Sequence, residues 1–97
     1  DIGAPKGTPV KAADAGEVLY TGWMRGYGQV VIIDHGGDLT TVYAHLSKID
    51  TAEDAKVTRQ TVIGRVGSTG VATGNHLHFE VRVNGERTNP RAYLPKG

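Results

Sequence analysis

Two of the chain's four histidines, His76 and His78, stand two residues apart in the run HLHFEVRV. Alternating apolar and polar residues mark that run as a β-strand, and a period of two sorts its side chains completely. Leu77, Phe79, Val81 and Val83 fall on one face, and His76, His78, Glu80 and Arg82 on the other. The two histidine Cα atoms then lie roughly 6.5 to 7 Å apart on one polar surface. Imidazoles so placed can converge on one metal ion, or one can ligate while the other addresses a bound water. A third histidine, His45, ends the run LTTVYAH, with Tyr43 two residues earlier on the same face of that strand. The chain contains no cysteine, so a thiolate cage is excluded and any metal must be held by His, Asp or Glu. The loop from Gly67 to Gly74 leads straight into His76, and its glycines let a ligand approach the backbone closely. It has neither the lysine nor the following helix of a phosphate cradle. His35, within His-Gly-Gly-Asp, reads as a solvated turn residue. Glu80 reads as a partner of Arg82 or another neighbour in preference to a ligand. Tyr27, Tyr43, Ser68, Thr69 and Asn75 are the candidates for lining a substrate groove, packing or capping being the plainer role for each.

The elements that must position these groups are short strands cut by glycine. Strands are predicted over residues 9–13, 17–21, 29–34, 39–45, 61–66 and 76–83. The run QVVIID (29–34) has four consecutive apolar residues, as a strand buried on both faces does. His35-Gly36-Gly37-Asp38 is a hairpin turn, and Asn84-Gly85 is a type I′ signal. Residues 22–28 form a Gly-rich connection carrying Trp23, as rim contact or lid, and Tyr27. One helical turn is expected within 46–53, and a turn or short helix over 89–94. Ninety-seven residues allow one core. Leu, Ile, Val and Phe make up 22 of the 97, enough to fold, and 14 glycines with many β-branched residues give an all-β, mostly antiparallel domain. Eleven Lys plus Arg against ten Asp plus Glu leave no electrostatic footprint for nucleic acid. No apolar run reaches the roughly 18 to 20 residues of a membrane helix. A lipoyl- or biotinyl-type carrier would need a lysine at a hairpin tip, and the turns at 35–38 and 84–85 carry none.

The segments YAHL (43–46), IGRVGSTG (63–70), TGNHLHFEVR (73–82) and NPRAYL (89–94) together resemble the lysostaphin/LytM-type zinc endopeptidases, which cut peptide cross-links of bacterial peptidoglycan. The opening DIGAPKGTPVKAA (1–13) resembles the segment just after that family's first metal motif, so the resemblance runs from end to end. It implies a β-sandwich-like duplicated hybrid motif with Gly-rich loops around a groove. It implies Zn²⁺ as cofactor, Asp1 and His78 as metal ligands, and His45 and His76 as the catalytic pair. Which of that pair is the base stays open. The pattern's first ligand, a His four residues before the Asp, would precede residue 1, so residues 1–97 are expected to be a peptidase domain shortened at its N-terminus, with further domains in the same chain. Gln60 departs from the family's usual Gly, as a changed turn. The implied partners are stem or bridge peptides of peptidoglycan, and the implied location is the bacterial envelope, periplasmic or extracellular. The competing expectation is a catalytically silent module of the same type that binds or activates other cell-wall hydrolases.

Overall fold

A computed structural model describes residues 2–3, 5–67, 76–83 and 86–88, without the side chains of 2–3, 76 and 86–88. Among these residues nine strands follow one another: β1 (Ile2–Gly3), β2 (Pro9–Lys11), β3 (Gly16–Met24), β4 (Gly28–Asp34), β5 (Leu39–Ile49), β6 (Lys56–Val57), β7 (Val62–Val66), β8 (His76–Val83) and β9 (Glu86–Thr88). Every pairing among them is antiparallel. The order β1-β8-β5-β4-β3-β6 makes a curled sheet, with β7 and then β2 attached beyond β5 and β9 beside β8. The all-β, antiparallel expectation holds, and β8 has the predicted bounds.

The β-branched run of β4 explains its central place. Val30, Val31 and Ile33 are fully buried, because β4 lies between β3 and β5 and is covered on both faces. The hairpin to β5 turns through Gly36, Gly37 and Asp38, all at positive φ, as the glycine pair predicts. Two apolar clusters then occupy opposite faces of the sheet. The larger holds Val31, Ile33, Tyr43, Leu46, Ile63, Leu77, Phe79 and Val81 among others. The smaller holds Val30, Val42 and Ala44, with Tyr20, Met24, Tyr27 and Ile32 against it.

Strand β5 is longer than expected, and the helical turn placed within 46–53 is not formed. Leu46–Ile49 continues β5 because β7 offers it a second partner, with Leu46 opposite Val66 and Ile49 opposite Gly64. Along 39–44 the same strand is paired with β8, ending at Ala44 opposite His78. The strand thus passes from one neighbour to another at His45. Two β-bulges accompany the change. Against β4, Val31 faces Tyr43 but Gln29 faces Leu46, so Ala44 and His45 together stand opposite Val30. Against β7, Leu46 faces Val66 and Lys48 faces Arg65, which leaves Ser47 as the extra residue.

Side chains and a glycine hold this irregular stretch. The Gln29 Nε2 donates to the carbonyls of Leu46 (3.3 Å) and Ser47 (3.0 Å), in place of ladder bonds. Ser47 Oγ donates to the Val66 carbonyl at 2.9 Å. A Cβ on Gly67 would come within 2.5 Å of the Ser47 nitrogen and 2.7 Å of its Cα, so the end of β7 can approach β5 only through a residue without a side chain.

Two further expectations change. Trp23 lies on β3 itself, which runs on to Met24, and at 62% exposure it covers no core. Short strands β6 and β9, not read from the sequence, pair with Gly16–Glu17 and with Val81–Val83. The type I′ turn at 84–85 and the turn or helix over 89–94 lie outside the described residues.

Candidate functional site

His78 enters the site by strand alternation. Leu77, Phe79 and Val81 point into the main core, so His78, Glu80 and Arg82 share the opposite face. In register, His78 lies opposite Ala44 and Glu80 opposite Val42, which makes the smaller apolar cluster the floor beside them.

His45 arrives by a different route. Simple alternation along β5 would put it on the face of Tyr43, yet the bulge separates the two. Tyr43 is 1% exposed and sits in the main core, its ring 5.3 Å from that of Phe79. His45 adopts φ +61°, the left-handed region that a residue with a Cβ enters at a cost. Its amide donates to the Tyr27 carbonyl at 2.8 Å, tying the bulge to the β3–β4 turn. Its ring, 7% exposed on a residue basis, lies 5.7 Å from that of His78 with the planes at 67°.

Around His78 the polar groups are close. The Nε2 atom is 3.1 Å from Glu80 Oε2. Glu80, only 4% exposed, also has Oε1 at 3.5 Å from Arg82 Nη2. That same Nη2 donates to the Tyr27 hydroxyl at 3.3 Å, although Tyr27 and Arg82 are 55 residues apart. The Tyr27 ring meets His78 edge-on, at 5.7 Å and 88°.

His45, His78 and Tyr27 therefore come together as a group. Of His76 the backbone is described: it is opposite Gly3, with Ile2 opposite Leu77, so β1 brings the start of the chain to the His76–His78 end of β8. Asp1, Ser68, Thr69, Asn75 and the side chain of His76 lie outside the described residues. Among the described residues, no three His, Asp or Glu side chains form a metal-binding group.

The groove role weighed for Tyr43 is corrected. Its hydroxyl accepts from the Ala13 amide and from Thr41 Oγ1, each at 2.8 Å, inside the core. Burial pushes its phenol above the ordinary tyrosine range, with the two donors pulling partly back. The solvated role for His35 is corrected as well. Its Nδ1 is 2.8 Å from the Ala15 carbonyl and its Nε2 2.8 Å from Thr41 Oγ1, so it pins the hairpin to the turn after β2. Sequence reasoning missed the left-handed backbone at His45 and the Tyr27–Arg82 bond, for which no local signal exists. The contact of Glu80 with His78 was within reach, since i and i+2 share a strand face.

The sequence profile of peptidase family M23 matches residues 1–90. The chain is 49% identical over 90 residues to the DD-carboxypeptidase/endopeptidase Mpg of Neisseria meningitidis, covering 93% of this chain and 21% of that protein. It is 39% identical over 97 residues to the murein hydrolase activator NlpD of Salmonella dublin, covering 99% of this chain and 26% of that one. It thus spans about a fifth to a quarter of these curated relatives. Among solved structures, the catalytic domain of the antimicrobial peptidase lysostaphin from Staphylococcus simulans superposes with a TM-score of 0.90 at 34% identity, covering 94% of this chain and 73% of that one. A zinc-containing peptidase from Vibrio cholerae superposes with a TM-score of 0.84 at 35% identity, covering 88% and 26%.

Proposed function

The chain belongs to peptidase family M23, and we propose that it is a zinc-dependent endopeptidase that cleaves peptide cross-links of peptidoglycan in the bacterial envelope. The observation that carries this reading is the pair His45 and His78, their ring centres 5.7 Å apart, with the buried Glu80 carboxylate 3.1 Å from His78 Nε2. The chemistry of the donor set suits zinc: imidazole and carboxylate, with no thiolate in the chain. In this reading the ion is held by His78, by Asp1, next in the chain to Ile2, and by the His that the family pattern places four residues before Asp1. Bound there, zinc supplies Lewis acidity toward the scissile carbonyl and toward a water molecule.

The chain's own groups then handle protons and charge. His45 and His76 divide two tasks between them. One removes the proton of the attacking water, and one returns a proton to the departing amine. An imidazolium formed in the first step also stabilises the negative charge developing on the carbonyl oxygen. The nearly buried ring of His45 keeps its position through the bulge backbone, so little reorganisation is needed. Tyr27, Ser68, Thr69 and Asn75 are the residues proposed to contact the stem or bridge peptide, the last three lying outside the described residues.

A second reading, a non-hydrolytic module that activates other cell-wall hydrolases, is favoured by the identity to NlpD along 99% of the chain. Digestion of purified peptidoglycans of several cross-link types, with products identified by mass, separates the two. The endopeptidase reading expects split cross-links that vanish when zinc is chelated. Intact cross-links at every zinc concentration, with faster turnover of an added hydrolase, would replace it by the activator reading.

A further inference from the structure

Strand β3 is an open edge along most of its length. On one side it pairs with β4 from Glu17 to Met24. On the other, β6 reaches only Gly16 and Glu17, and the segment before it bonds Val18 through the Asp54 amide and the Ala55 carbonyl. Among the described residues no strand or loop pairs with that side from Leu19 to Met24. The exposed large apolar side chains of the described residues, Leu19 at 53% and Trp23 at 62%, both stand on this stretch. Edge strands are ordinarily blunted by a charge or a proline, and the run VLYTGWM (18–24) has neither. The bulge between Val18 and Tyr20 leaves Leu19 as the extra residue, exposed and not tucked away. Tyr20 Oη donates to the Trp23 carbonyl at 2.9 Å, which leaves that oxygen a second lone pair.

The stretch is complementary to itself. Laid antiparallel on its own copy about a two-fold axis at Thr21, it sets Leu19 opposite Trp23 and Tyr20 opposite Gly22. Each exposed apolar side chain then meets the other, and the tyrosine ring meets the position without a side chain. Past the ends, the same register carries Arg25 toward the acidic end of the copy, where Glu17, Glu53 and Asp54 outnumber Lys56. All five of these charged residues are exposed. Moving the axis to Tyr20 would set Trp23 opposite Glu17, and moving it to Gly22 would set Leu19 opposite Arg25. We propose that this edge is a self-association surface, through which two copies of the chain pair β3 to β3 about Thr21 into one continuous sheet. Such a contact uses the same patch on both copies, so it closes at two. His45 on β5 and His78 on β8 lie beyond β4 from that edge and stay outside the contact. A six-residue edge is small beside the roughly 1,600 Å² of a standard interface, so the dimer is reversible, with a dissociation constant on the order of 0.1 mM.

The test is sedimentation velocity over concentrations spanning that value, on the protein with its upstream residues present. Wild type is compared with Leu19→Lys and Trp23→Glu, with circular dichroism as the readout of fold. Wild type is expected to pass from monomer to dimer, and each variant to associate at least roughly tenfold more weakly, since each sets a charge against an apolar partner. The register has its own probe in Thr21→Cys. Residues directly opposite in an antiparallel pair have Cα atoms about 4.5–5.5 Å apart, within the reach of a disulfide. Thr21→Cys is therefore expected to give a covalent dimer on mild oxidation, where wild type gives none. Wild type that stays monomeric throughout, or association that Leu19→Lys and Trp23→Glu leave unchanged, overturns the proposal. Failure of Thr21→Cys to cross-link in a protein that associates overturns the pairing about Thr21. Should either charged variant not fold, the Thr21→Cys cross-link decides the proposal alone. None of these outcomes alters the peptidase reading, which peptidoglycan digestion tests separately.

Discussion

Replacing His45 by glycine and, separately, by alanine isolates the backbone strain at the bulge from everything the imidazole does. Both variants lose the same ring contacts, so their difference reports the main chain alone. At φ +61° a residue with a Cβ is strained by about 1–2 kcal/mol, which glycine escapes. Against this, glycine in a strand is ordinarily less stable than alanine by about 0.5–1 kcal/mol, through the entropy of the unfolded chain. The two effects oppose, and the strain is the larger. The Gly variant is therefore expected to be the more stable by about 0.5–1 kcal/mol, the reverse of the usual strand order. In a domain of this size that is a melting difference of about 2–8 °C. Urea unfolding followed by far-UV circular dichroism, with chelator present throughout, measures it, provided the two slopes agree. An Ala variant as stable as the Gly variant, or more so, would refute the claim that the hand-over from β8 to β7 forces His45 into the left-handed region. Both variants are expected to be inactive on peptidoglycan, so the more stable of them would gain nothing in turnover.

Three other outcomes follow from the same packing. Gly67→Ala is expected to lower stability by about 1–3 kcal/mol, because its Cβ would meet Ser47 backbone, which cannot yield as a side-chain tip can; an unchanged urea midpoint would show that β7 can retreat freely. Tyr43→Phe is expected to lower stability by about 1–3 kcal/mol by stranding the Ala13 amide, read by the same unfolding assay. In the wild type, burial raises the Tyr43 pKa, so the folded chain binds that proton more tightly than the unfolded one. Its contribution to stability is complete below about pH 10 and falls as pH rises from there through the higher folded value. Unfolding midpoints across that range, set beside those of Tyr43→Phe, should show the extra loss in the wild type alone.

Much of the architecture was legible because each strand advertises its own surroundings. The run HLHFEVRV alternates, and β8 has one face in the core and one in the site. The run VVII of β4 does not alternate, and that strand is covered on both sides. The glycine pair at 36–37 specified its turn without help from the rest of the chain. What was not legible depends on partners remote in sequence. Nothing within 46–53 announces that β7 will extend β5 and prevent a helical turn. Nothing in YAHL announces a bulge, yet the bulge places Tyr43 in the core and turns His45 toward His78, against a count by twos. His35 likewise reads as a loop residue until Ala15 and Thr41 are brought to it.

The alternation of β8 also bears on why similar chains carry the names of an endopeptidase and of an activator. The main core takes Leu77, Phe79 and Val81, while His78 and Glu80 face the other way, over a small floor of Val42 and Ala44. Chemistry and stability thus sit on opposite faces of one strand. Losing His78 removes a half-buried ring with polar partners and no member of the main cluster, so His78→Ala should cost far less than truncating Phe79, for which about 3–5 kcal/mol is typical. A lineage can therefore discard its site residues and keep this sheet, along with whatever surface contacts the sheet makes. The converse does not hold. The His45–His78 pair exists only while β5 changes partners at the bulge, and that depends on Gly67, Ser47 and Gln29 holding the backbone there. Folded, zinc-free His78→Ala protein alongside active-site loss in Gly67→Ala would display both halves of this asymmetry. A His78→Ala chain that fails to fold would instead show that the site is itself part of the core.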